Sequence, residues 1–147
     1  MKSKAPLALI EQIVMVLVFA LAAALCIQAF VKADHISLRS EEMSRAALVA
    51  QDAAELIKYS GGDMEHALSQ AGELLGGTYA QGMLRIDYDE DWNLTEQDGV
   101  YHLTAQGVPV EEPGLQKALV QVVTGDPEDC ELLFALESAW LEVSPDE

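Results

Sequence analysis

Basic residues are scarce, with 8 Lys and Arg against 25 Asp and Glu among 147 residues and a formal net charge of -17. A field of that sign repels phosphate backbones, so direct nucleic-acid binding is not expected. Cysteine is nearly missing: Cys26 and Cys130 are the only two. They lie in segments of opposite character, too far apart in environment to form a disulfide framework, and neither has a His and an acid nearby at catalytic spacing. The three histidines, His35, His66 and His102, show no paired spacing for a metal site. A phosphate-cradling glycine loop and a nucleophile elbow are both lacking. Carboxylates abound, yet no spacing selects two of them as an acid/base pair. An enzyme is therefore not expected, and the length allows about one domain.

Half of the residues are nevertheless hydrophobic, which fits so acidic a chain only if apolar and acidic residues are segregated. Residues 12–31 are 20 consecutive residues without a formal charge. As a helix rising ~1.5 Å per residue they span ~30 Å, the hydrocarbon thickness of a bilayer. The charges divide at the same place. Residues 1–33 carry Lys2, Lys4 and Lys32 against Glu11, whereas residues 34–147 carry 5 basic and 24 acidic side chains. Lys2, Lys4 and the α-amino group precede the span, so the positive-inside rule keeps the N-terminus in the cytoplasm and sends the acidic part across. Lys32, Arg39 and Arg45 follow the span and weaken that bias. A removable secretory signal ending at Val31-Lys32-Ala33 is the competing reading. Glu11 at the head of the run, the length of the run and the helical period continuing past Ala33 count against it.

Beyond the span, Ile36, Met43, Ala46, Ala47, Ala50, Ala53, Ala54 and Ile57 recur at steps that draw one stripe on a helix, with Arg39, Glu41, Glu42, Arg45, Asp52 and Glu55 opposite. Neither Gly nor Pro interrupts residues 7–59, so one helix of ~53 residues, ~80 Å long, is expected to end at Gly61-Gly62. Its alanine-rich stripe permits close packing. A short helix over 63–75 follows, closed by Gly76-Gly77. The period then changes to two: Leu84, Ile86 and Tyr88 alternate with Arg85 and Asp87, and further strands are expected over 100–105, 115–124 and 130–143. In the last, Leu132, Phe134, Leu136 and Trp140 are placed on one face. Residues 106–114 and 125–129 read as loop and turn. The expected fold is α+β, a long N-terminal helix on a roughly four-stranded antiparallel sheet.

This order of parts resembles type IV pilins and the pseudopilins of type II secretion and Gram-positive DNA-uptake machines. Leu7-Ala8-Leu9-Ile10-Glu11 is similar to the family's Phe-Thr-Leu-Ile-Glu at the mature N-terminus, and the apolar run and acid-sided helix follow it. The resemblance covers about thirty residues; the β part matches only as architecture. It implies a leader over residues 1–6, a membrane helix over 7–33, its extracytoplasmic continuation over 34–60 and an acidic head over 61–147. It further implies cleavage between Pro6 and Leu7 by a prepilin peptidase, and assembly with like subunits through the N-terminal helix, driven by a platform protein and an ATPase. Glu11 would pair with the freed α-amine of a neighbouring subunit. The family cuts after glycine, and Pro6 departs from that, since proline lacks glycine's backbone freedom. Read without the family, Glu11 is a carboxylate at the edge of hydrocarbon, costing several kcal/mol unless it is paired or snorkels to the headgroups. The alternative function is an anchored or secreted extracytoplasmic binding module that does not polymerise.

One further pattern concerns calcium. Asp87, Asp89, Asp91, Asn93, Thr95 and Asp98 fall at positions 1, 3, 5, 7, 9 and 12 of a calcium-loop template. Trp92 stands where the turn needs glycine, Asp98 replaces the bidentate Glu, and the flanks read as strands. A solvated acidic hairpin loop with Trp92 folded onto the sheet is the preferred reading, and no cofactor is expected.

Overall fold

The computed structural model describes residues 5–96, 99–125 and 129–142. It divides into two compact units, residues 1–41 and 42–147. The first unit is helical wherever it is described, being the opening part of α1 (Ala5–Ser60). Beyond Pro6 in its first turn no helix breaker interrupts this run, and α1 stops where Gly61 and Gly62 take φ of 60° and 71°, a left-handed turn that side chains with a Cβ resist.

In the second unit the end of α1 presents Ala46, Ala50, Ala53, Ala54 and Ile57 to the core, all buried. The expected stripe is shorter than its periodicity: Ile36 and Met43 are exposed, because a stripe is buried only where something packs on it. Helix α2 (Met64–Leu75) starts at Asp63, whose carboxylate accepts the N–H of His66 at 2.8 Å, and buries Ala67, Leu68 and Ala71. It ends at Gly76, with φ of 72°.

Five antiparallel strands follow in sequential order: β1 (Thr78–Ala80), β2 (Met83–Tyr88), β3 (Tyr101–Gly107), β4 (Leu115–Thr124) and β5 (Glu131–Leu141). The four expected strands are β2 to β5; β1 is an addition. Its three residues are too few to show a period, and it exists through pairing of Thr78 with Arg85 and Ala80 with Met83. Strand β3 also runs two residues further than expected, to Gly107. Residues 126–128 of the expected turn and residue 143 of the last expected strand lie outside the described residues.

The inner face of the sheet is built from cross-strand rows. Leu84, Ala105, Val120 and Leu136 stand side by side, as do Ile86, Leu103, Val122 and Phe134. These side chains meet the alanine stripe of α1 and the apolar side of α2 in one core. The other face carries Arg85, Asp87, His102, Lys117 and Glu137, the water-facing half of an amphipathic antiparallel sheet. A bulge corrects one expectation. The register slips by one residue at Val122/Val123, so Val122 pairs with Phe134 but Val123 pairs with Leu132. Leu133 is thereby turned into the core at 4% exposure and Leu132 is left 52% exposed. Polar ties anchor the layers: the Trp140 indole N–H donates to the Gly62 carbonyl at 3.0 Å, and the Ser138 hydroxyl donates to the Ala54 carbonyl at 3.4 Å.

Candidate functional site

In the first unit the candidate is a surface. Fifteen large apolar side chains between Leu7 and Val31 are at least half exposed. Burying each is worth roughly 1.5–3 kcal/mol, so leaving all of them in water forgoes tens of kcal/mol. Exposed apolar surface of this extent marks a place of contact with lipid or with other protein. By length and composition the helix is sufficient to cross a bilayer. Glu11 sits among these side chains and is exposed on the helix. Pro6 and Leu7 lie in the first turn of α1, where proline's missing N–H is no loss.

The second candidate is the loop joining β2 to β3. It folds as a tight turn in which the Trp92 N–H donates to the Asp89 carbonyl at 3.1 Å and the Asp89 N–H donates to the Asn93 carbonyl at 2.9 Å. That pattern is a three-residue hairpin loop, whose last residue adopts left-handed backbone and is ordinarily glycine. Here it is Trp92, with φ of 64°. Its indole lies flat on the Tyr101 ring, centroids 4.0 Å apart and planes 12° apart, with Tyr88 tilted beside it at 6.0 Å. The stack holds a bulky residue in a conformation that costs about 1–2 kcal/mol. The Tyr101 hydroxyl in turn donates to Glu42 of α1 at 3.2 Å.

The Asp89 carboxylate is occupied within the loop. Asp89 Oδ1 accepts the backbone N–H groups of Asp91 at 2.9 Å and Asn93 at 2.8 Å, and the Asn93 side-chain amide approaches Oδ2 at 3.3 Å. The N–H of Asn93 above all stabilises the anion and lowers the Asp89 pKa from its ordinary value. Asp87 is a residue of β2 and not of the loop. Its carboxylate accepts Arg85 Nε at 3.0 Å and meets Nδ1 of His102, its cross-strand partner in β3. The six template positions therefore divide: Asp89, Asp91 and Asn93 come together, Asp87 turns to the sheet, Thr95 donates its N–H to the Asp87 carbonyl at 3.0 Å, and Asp98 lies outside the described residues. Among the described residues no group of three or more His, Cys, Asp or Glu side chains is gathered so as to hold a metal ion.

Burial also acts on the two tyrosines. Desolvation raises the Tyr88 pKa above its ordinary value, with the charge of Asp52 adding to it. Tyr101 is raised by burial and then by the charge and hydrogen bond of Glu42. Trp92 folds onto the sheet as expected, on Tyr101 of β3, whereas the Arg85–Asp87–His102 cluster and the hydrogen bond from Tyr101 to Glu42 were not foreseen from the sequence. Their only signal is strand register, which places Asp87 opposite His102 and Tyr88 opposite Tyr101. Cys26 and Cys130 are free thiols, both exposed.

Compared with protein-family models, curated proteins and solved structures, the chain matches none. The functional reading therefore rests on the residues themselves.

Proposed function

We propose that this chain is a membrane-anchored, pilin-like structural subunit of a type IV pilus, type II secretion-like or DNA-uptake filament, with no enzymatic activity of its own. The observation that carries the reading is α1: its first half is exposed and apolar on every side, while its second half buries an alanine stripe against an antiparallel sheet. A helix of the first kind is at home either in lipid or in a bundle of like helices. Moving between the two expels no water from the apolar surface, so association depends on packing and polar pairing. Ala20, Ala22, Ala23 and Ala24 provide small side chains for close approach, and Glu11 provides the polar pairing group, with the freed amine of Leu7 in a neighbouring subunit as its partner. The N-terminus is cytoplasmic and the acidic head extracytoplasmic. Residues 1–6 serve as the leader for a prepilin peptidase, and an assembly ATPase and an inner-membrane platform supply the work.

The test is crosslinking in the native cell. In a Cys26→Ser/Cys130→Ser background, single cysteines introduced along residues 13–31 are expected to trap a ladder of multimers that Glu11→Ala diminishes. A helix that crosslinks to no other copy at any of these positions overturns the assembly reading. A ladder that Glu11→Ala leaves unchanged overturns only the pairing role. The mass of the mature chain reports on processing: a start at Leu7 supports the pilin route, and a start at Asp34 identifies a secreted head. One observation favours the alternative of an anchored binding module: strained backbone such as that of Trp92 is concentrated at functional sites. An intact chain that stays monomeric in the membrane supports that alternative.

A further inference from the structure

The two edges of the sheet are finished differently. Strand β1 has three residues and lies against α2, and a short, covered edge is protected from further pairing. Strand β5 has eleven residues, without proline or lysine, and among the described residues its only neighbour in the sheet is β4. The bulge is confined to its start, so residues 134–141 run in unbroken register with β4. In such a pair every second residue turns both its N–H and its carbonyl away from the neighbouring strand, which leaves about four residues of β5 with outward donors and acceptors. Beside this edge lies a groove of about 210 Å³, lined by Ala54, Glu55 and Lys58 of α1 and by Leu136, Glu137 and Ser138 of β5. The hydrogen bond from the Ser138 hydroxyl to the Ala54 carbonyl ties its two sides together.

We propose that the β5 edge takes an extended, cationic segment of a partner protein as a further strand of the sheet, with apolar side chains entering the groove at alternate positions and lysine or arginine side chains between them on the water face. In this mode main-chain hydrogen bonds give affinity and the alternation of side chains gives selectivity. On the groove side the added side chains meet Ala54 and Leu136, while Glu55 and Lys58 offset each other's charge. On the water side they pass Ala135 and Ala139, both exposed, and Glu137, which stays half exposed although it is paired with Lys117 at 2.5 Å. Opposite charges on neighbouring strands attract there. Charge also decides between partners. Residues 42–147 carry 22 acidic and 4 basic side chains, so a second copy of the head is repelled and a cationic segment is drawn in. The inference concerns the second unit alone and stands apart from the filament reading.

The experiment uses the full chain in detergent micelles. The probe is a dye-labelled synthetic peptide of about ten alternating lysine and valine residues, the length of a long strand. Its affinity is read by fluorescence anisotropy and its place by amide hydrogen exchange. Binding is expected to slow exchange in residues 134–141 and to leave β1 unchanged. Two further peptides carry N-methyl groups on alternate residues, one series on each edge of the extended chain. The series that blocks the edge facing β5 is expected to bind at least about tenfold more weakly, since each lost hydrogen bond is worth about two- to tenfold, while the other series binds as before. Ala135→Lys/Ala139→Lys, which sets like charge beside the added strand, is expected to weaken binding by up to about fivefold per charge. Leu74→Lys/Met83→Lys, which adds the same charge at exposed positions elsewhere, is expected to weaken it less. Equal binding by both N-methylated series, protection outside β5, or equal losses in the two double variants overturns the strand-addition site. A glutamate–valine peptide that binds as tightly overturns the cationic class of partner. Protection of residues 134–141 that grows with protein concentration in the absence of peptide makes a second copy the occupant and overturns the foreign segment.

Discussion

Trp92 offers a test in which the sign of an effect, and not only its size, is set by the backbone. With φ of 64° it occupies a position where any Cβ is unfavourable by about 1–2 kcal/mol. At an ordinary position, replacing Ala by Gly destabilises by about 0.5–1 kcal/mol through backbone entropy. Here the relief of strain exceeds that entropy, so Trp92→Gly should be more stable than Trp92→Ala by about 0.5–1 kcal/mol. Both should fall below the native chain, because either change removes a half-buried indole and its flat stack on Tyr101 at 4.0 Å. Stacks of this kind contribute about 0.5–1.5 kcal/mol beyond the area they bury. The assay is urea unfolding of the detergent-solubilised chain, followed by the fluorescence of Trp140, which becomes the sole tryptophan and is 6% exposed in the core. With a slope of about 1–3 kcal/mol per molar urea, the Gly variant's midpoint should lie above that of the Ala variant by a few tenths of a molar. An Ala variant equal to or more stable than the Gly variant would refute the assignment of left-handed strain at this residue.

Two further outcomes follow from packing and burial. Gly77→Ala should destabilise the head by about 1–3 kcal/mol, since its new Cβ would stand 2.8 Å from the rigid carbonyl of Arg85 and 2.6 Å from Ile86; an unchanged denaturation midpoint contradicts this. Burial raises the pKa values of both Tyr88 and Tyr101, so in the folded state they keep their protons above the pH of about 10 at which unfolded tyrosines ionise. Stability is therefore fully present below about pH 10 and is lost as pH climbs through the raised values. A phenolate absorbance titration should show a late-ionising fraction that disappears in urea, and a curve identical with and without urea would count against it.

Periodicity over long segments was enough to locate much of this architecture. The length and the end of α1 follow from a run without glycine or proline over residues 7–59 closed by Gly61-Gly62, α2 from its cap at Asp63 and its stop at Gly76, and β4 from its β-branched residues between two turns. These are local effects, set by the dihedral preferences and side-chain spacing of neighbouring residues. The apolar reach of residues 12–31 is likewise a property of composition, and the pilin-like proposal begins there. What the tertiary structure alone decided are the matters of register. Strand β1 forms because β2 presents an edge to three residues that have no pattern of their own. The bulge in β5 exchanges Leu133 for Leu132 in the core, since a slip of one residue reverses the two faces of a strand. Asp87 leaves the acidic loop for His102, and Trp92 finds Tyr101, because pairing brings together residues far apart in sequence. A side chain's partner across a sheet depends on long-range alignment, and no window along the chain contains that information.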